Sequence, residues 1–203
     1  NFFLLVVSYI FYSWWDWRFL TLIFISSVVD YFVGLKLEDS KDLNRKYYLY
    51  LSLFINLGLL GFFKYYNFFI SSFIDAFTFF GIPFEINTLK IILPVGISFY
   101  TFQTLSYTID VYNNKLKPTN DLIQFMAFVS FFPQLVAGPI ERAKNLLPQF
   151  AKKRKFNYLK AVDGLKQILW GLFKKIIIAD NCAEYVNLIF DNSADYNGGT
   201  LLL

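Results

Sequence analysis

Of 203 residues, 56% are hydrophobic and 17% charged, with a mean hydropathy of +0.44 and a formal net charge of +4. A soluble domain is about half apolar and about a quarter charged, and no aqueous core of this length hides 26 Phe and 14 Tyr, so lipid is expected as a second solvent. With no His and one Cys, an intrachain disulfide and a Cys-based metal site are excluded, and the commonest general base and metal ligand are missing. No bound cofactor or metal is expected, and Cys182 is expected to be a packed thiol.

The chain opens at Asn1 directly into an apolar run and closes on Leu201, Leu202 and Leu203, which read as the start of another; it reads as truncated at both ends. The first run, 2–15, lacks the small-residue cleavage site of a signal peptide, and Trp14, Trp15 and Trp17 read as an interfacial aromatic belt. Further apolar runs follow at 19–35, 47–63, 68–80, 91–112 and 122–137, none with period-two alternation, so helices are predicted rather than barrel strands. Lys64 and Asn67 are expected to divide 47–80 into a spanning part and an interfacial part. Run 91–112 would rise about 33 Å as one helix, enough to span with tilt. In 161–179, Val162, Leu165, Leu169, Leu172, Ile176 and Ala179 recur at spacings of three and four, predicting an amphipathic interfacial helix. The fold class expected is all-α, a polytopic integral membrane bundle.

Basic residues set the orientation. Connectors 36–46, 113–120 and 141–160 hold thirteen Lys and Arg, whereas 16–18, 64–67 and 81–90 hold one each. The positive-inside rule places the first three in the cytoplasm. The basic balance therefore needs no nucleic-acid partner, and Lys152 to Lys155 read as facing anionic lipid heads. Connectors 113–120 and 141–160 would then share a side, although the apolar run 122–137 joins them. That run must enter and return. Pro133 is expected to break its helix, and Gln134 to Pro139 to lead the chain back; such a re-entrant, broken-helix element implies a polar cavity inside the bundle.

Two stretches carry polar groups at depth. Within 93–112, Ser98 with Thr101, and Gln103 with Ser106 and Asp110, sit three or four apart and can share helix faces; Ser98, Gln103, Ser106 and Asp110 are the passage-lining candidates. A carboxylate at a helix centre costs about 2.5–3.5 kcal/mol on insertion scales, so these groups either join helices or line a substrate path. Gln103 and Asp110 are expected to matter to activity more than to insertion. In 131–142, Gln134 is a further passage-lining candidate. Glu141 and Arg142 read as an ion pair or anchor, or as an electropositive mouth for an anionic donor. No charged residue is read mid-helix, which counts against an ion-coupled transporter.

The sequence LPVGISFYTFQTLSYTIDVY followed by FFPQLVAGPIERAKNLLPQF, with FFKYYNFF at 62–69 and GLFKKIIIADNCAEYVNLIF at 171–190, closely resembles the membrane-bound O-acyltransferases, specifically their bacterial alginate O-acetyltransferase branch. The resemblance covers nearly the whole chain. It departs at Asn113 and Asn114, where that branch usually has Arg-Gly. The resemblance implies that 1–203 is part of a single helical membrane enzyme domain of the bacterial inner membrane. It implies transfer of an acyl group, acetyl-CoA or another activated donor being the substrate, to an exported polysaccharide or cell-wall sugar, with a periplasmic or extracellular acetylation partner in some members. The family's proposed catalytic His lies in a Phe-Trp-Arg-Arg-Trp-His-like segment expected beyond Leu203, so no catalytic residue is carried over and this chain alone is expected to be inactive. The competing readings are D-alanyl transfer to teichoic acid, a transporter, and a non-catalytic membrane scaffold.

Overall fold

The computed structural model describes residues 1–40, 42–79, 89, 91–136, 138–153, 155–192 and 198, and among them every regular element is helical. Two compact units form, Asn1–Lys153 and Arg154–Leu203.

In the first unit, α1 (Phe2–Asp16) and α2 (Leu20–Asp39) are separated at Asp16, whose backbone turns extended and whose carboxylate accepts from the Arg18 N–H of a short 3₁₀ turn. The helix α3 (Asp42–Leu60) continues through a π-turn at Gly61–Tyr65 into α4 (Tyr66–Phe79). The expected division at Lys64 and Asn67 is thus corrected. An extra residue in the turn is absorbed as a π-bulge, which keeps the backbone hydrogen-bonded where a loop in lipid would not. The connector expected at 36–46 shrinks likewise, because α2 runs to Asp39 and α3 begins at Asp42.

Phe2–Asp39 and Asn44–Phe79 are both long and apolar enough to cross a membrane. Along the second, Phe54, Phe62, Phe68 and Phe69 are 46–78% exposed. An unbroken aromatic surface of this kind is untenable in water, and this is the protein's adaptation to a membrane.

The core lies where α2, α3 and α5 (Ile97–Tyr112) pack together, with α1 and α6 (Leu122–Val129) against α2. Gly34 on α2 lets Tyr107 lie close, since a Cβ there would stand 2.5 Å from the Tyr107 hydroxyl. The single helix expected over 91–112 starts only at Ile97, because Gly96 adopts φ +73°, a conformation that breaks a right-handed helix.

At its other end α5 stops in a Schellman motif. The Lys115 N–H bonds the Asp110 carbonyl (2.8 Å) and the Asn114 N–H the Val111 carbonyl (3.0 Å), with Asn114 at φ +57°. That position favours Gly and tolerates Asn, which accounts for Asn114 where the resembled branch has Gly.

In the second unit, α9 (Tyr158–Phe173) passes through a π-turn at Lys174–Ala179 into α10 (Asp180–Asp191). Leu165, Leu169, Leu172 and Ile176 of the predicted stripe are 50–68% exposed on it. Cys182, expected to be packed, is exposed on α10, and the side chains around it on that helix are exposed as well.

Candidate functional site

The segment after α5 makes an excursion along that helix and returns. Residues Leu116 to Pro118 share a crevice with Val111 and Glu38 at the C-terminal end of α5. From there α6 ascends antiparallel to α5: Phe125 packs on Tyr107 with rings 4.5 Å apart, and the Gln103 amide donates to the Phe128 carbonyl (2.7 Å). After Ser130 the short α7 (Phe132–Leu135) brings Leu135 against Gly96, at the N-terminal end of α5. Arg142 is then back beside Asp110 and Lys115 in one cavity, and the Ala143 N–H, at the start of α8 (Ala143–Ala151), donates to Ser106 (3.4 Å). The fourteen-residue separation of Gly96 and Asp110 corresponds to about 21 Å of helix, so the chain goes most of the length of α5 and comes back to the end it left. This is the re-entrant element expected from the charge distribution.

The break differs in position from expectation. It falls at Ser130 and Phe131, and Pro133 opens α7 instead of ending α6. Proline lacks the N–H that a first helical turn does not need, so it starts a turn more readily than it stops one.

The excursion sorts the sequence-derived candidates. Asp110 is buried, with Oδ2 lacking a partner among the described residues. It faces a cavity of about 360 Å³ that Ser106, Asn113, Lys115 and Arg142 also line, with Phe102, Leu105 and Ile109 as its apolar wall. Ser106 bonds the Gln103 carbonyl (2.9 Å) as well as receiving the Ala143 N–H. Gln103 is buried with its amide engaged on Phe128, a helix-joining contact. Ser98 is half-buried near the opposite end and accepts from the Lys64 ammonium (3.3 Å). Gln134 is on α7 next to Leu135, also remote from Asp110, with its Nε2 unpartnered among the described residues. Glu141 is half-buried and Arg142 exposed. Among the described residues the ion pairs are Asp16 with Arg18 and Lys175 with Asp180, so the Glu141–Arg142 pair is not formed.

A second polar cluster was missed by the sequence reading, which took the helices to be free of charge at mid-length. Asp30, mid-way along α2, is fully buried. Ser52 and Thr108 (3.2 Å) donate to its Oδ1 and Asn56 (2.7 Å) to its Oδ2; the Asn56 carbonyl oxygen accepts from Ser26 (2.7 Å) and Thr104 (3.2 Å). Ser26 with Asp30, Ser52 with Asn56, and Thr104 with Thr108 are three polar pairs at i, i+4 on three different helices, a spacing that puts each pair on one face. That repeated spacing inside apolar runs is the signal that could have revealed the cluster. Both carboxylate oxygens have donors, so the cluster closes on itself and joins the helices.

Comparison with known proteins bears on the whole chain. It is 40% identical over 193 residues to the probable alginate O-acetylase AlgI of Pseudomonas aeruginosa, covering 94% of this chain and 36% of the relative. It is 38% identical over 205 residues to the same-named protein of Azotobacter vinelandii, covering 100% and 40%. Over nearly its whole length the chain matches the alginate O-acetyltransferase-like branch of the membrane-bound O-acyltransferases. The peptidoglycan O-acetyltransferase of Helicobacter pylori is 35% identical over 217 residues, with 94% and 40% coverage. The chain therefore spans well under half the length of the O-acyltransferase relatives it matches. No protein-family model matches it, and no solved structure gives a significant match.

Proposed function

We propose that the protein carrying this chain is a multi-pass inner-membrane O-acyltransferase. It moves an acetyl group from an activated cytoplasmic donor to a hydroxyl of an exported polysaccharide or cell-wall sugar. The observation that carries this reading is the match over 90% or more of the chain to relatives named for O-acetylation of two different acceptors, alginate and peptidoglycan. Relatives with either name match over 90% or more of this chain, so it belongs to the portion that the two have in common. D-alanyl transfer from a carrier protein is the neighbouring reaction within this reading.

The electrostatics support a donor entry at the C-terminal end of α5. Lys115 and Arg142 line one cavity with Asp110 there, and the basic connectors 36–46, 113–120 and 141–160, on this reading cytoplasmic, would attract an anionic acyl carrier. In the reaction a sugar hydroxyl oxygen attacks the acyl carbonyl carbon. The bond to the donor's leaving group breaks and the hydroxyl proton passes to a base. A positioned base contributes about 10²–10⁴-fold, and this sequence has no His to supply one.

The test is full-length protein in liposomes with radiolabelled acetyl-CoA, or an acyl-loaded carrier, and alginate or peptidoglycan glycan strands. Residues 1–203 alone are run in parallel. Transfer by the full-length protein and none by residues 1–203 is expected. Absence of transfer from every donor to every acceptor would overturn the reading, and transfer by residues 1–203 within about tenfold of full length would overturn the missing-base argument.

A further inference from the structure

We propose that the crevice between the N-terminal end of α3 and the C-terminal end of α5 is a seat for the head group of an anionic phospholipid. A cavity of about 500 Å³ is lined there by Arg45, Lys46, Tyr112, Asn113 and Asn114. Both charged residues in its wall are cations. Arg45 is held in place from behind: its guanidinium donates to the Tyr112 carbonyl (2.6 Å) and to the Asn114 side chain (3.0 Å), and lies over the Tyr112 ring, 5.7 Å from its centre. Lys46 is exposed, so its ammonium is free to close over a ligand. The Asn113 and Asn114 amides add neutral donors suited to phosphate and glycerol oxygens.

The apolar continuation of the crevice distinguishes a lipid from a free anion. From Lys46 onward, Tyr47, Tyr50, Phe54 and Leu57 recur at spacings of three, four and three on α3 and are 65%, 64%, 78% and 46% exposed. They form one stripe running from the cavity along the helix that is long and apolar enough to span. Two exposed tyrosines next to the cations, followed by Phe and Leu, is the order of a membrane interface giving way to hydrocarbon. A phosphate held by Lys46 and Arg45 would place its acyl chains on this stripe. Cations near a membrane surface attract anionic lipid, and an exposed aromatic stripe accommodates chains.

Occupation would also bear on the cap of α5, because Arg45 and Asn114 line the crevice, while Asn114 lies in the turn that ends the helix carrying Asp110 and Arg45 donates to that turn. The proposal itself needs only that this end of α3 lies at a membrane surface, and it stands or falls separately from the acyl-transfer reading.

The experiment is native mass spectrometry of the full-length protein released from detergent, titrated with dioleoylphosphatidylglycerol or dioleoylphosphatidylcholine. Retention of phosphatidylglycerol above phosphatidylcholine is expected. Lys46→Gln should lower that retention about fivefold, the effect of roughly one cation at an anionic surface. Lys166→Gln, on α9, should leave it unchanged. Asn113→Leu, which fills the cavity from an exposed position, is the second variant and should lower retention similarly if Lys46→Gln does not fold. Equal retention of the two lipids, or unchanged retention in the folded variants, would overturn the proposal. Displacement by glycerophosphoglycerol at the lipid's own concentration would overturn it too, since the site would then take a free anion.

Discussion

A Cβ on Gly96 would lie 2.4 Å from the carbonyl oxygen of Leu135. The start of α5 and the far point of the re-entrant segment thus touch backbone to backbone, and this contact sets how deeply the segment reaches. Gly96 is doubly constrained, by that contact and by φ +73°.

Gly96→Ala is accordingly expected to be strongly destabilising. The left-handed backbone costs about 1–2 kcal/mol for a residue with a Cβ, and overpacking against backbone adds about 1–3 kcal/mol. Gly58→Ala, with nothing within 4 Å of the added carbon, should keep or slightly raise stability, since Ala is the better helix former. Thermal unfolding of the two variants of the full-length protein in detergent decides this; equal midpoints would mean that the Gly96 contact does not hold the segment.

Lys117 and Lys144 are exposed on either side of the excursion. In a Cys182→Ser background, Lys117→Cys and Lys144→Cys should react with an impermeant maleimide from the same side of the membrane. Opposite sidedness would show that 122–142 crosses fully.

The Asp30 cluster should behave as one cooperative unit. Asp30→Ala leaves the donors of Ser52, Asn56 and Thr108 without their acceptor, at about 1–3 kcal/mol for unmet buried groups, and Asn56→Ala does comparable damage. Because the two residues share partners, the double variant should cost at least about 0.5 kcal/mol less than the sum of the singles. Equilibrium unfolding in mixed micelles measures the cycle, and simple additivity would break the network reading.

Gln103→Leu and Asp110→Asn should separate. The first leaves the Phe128 carbonyl without its donor, where an interhelical bond in a membrane averages about 0.6 kcal/mol, so protein level and transfer should fall together. The second changes charge in the cavity while keeping shape, so membrane level should hold while acyl transfer drops. A parallel fall of both quantities in Asp110→Asn would assign Asp110 to packing.

How far the sequence was legible varies by feature. The thirteen basic residues in three connectors were enough to predict that 122–137 returns to the side it left, because the positive-inside rule assigns Lys- and Arg-rich connectors to one face. Where the segment turns was misplaced at Pro133, since a proline reads alike whether it ends one helix or opens the next. The Asp30 cluster was visible only as i, i+4 polar pairs on three separate helices, with nothing in the sequence to say that the three pairs meet.

The sequence by itself determined the lipid solvent, the helical class and the likeness to the O-acyltransferases. Each of these depends on composition and local periodicity, or on a long ordered match, and needs no knowledge of which residues meet. Tertiary structure alone decided which polar groups are spent and which are free. Gln103 and Asp110 lie seven residues apart on one helix, yet the Gln103 amide donates to the Phe128 carbonyl, whereas Asp110 lines a cavity and its buried Oδ2 has no partner among the described residues. Asp30, mid-way along α2, is surrounded by donors from α3 and α5. The energy of a buried polar group is set by its partners, and those arrive from other helices.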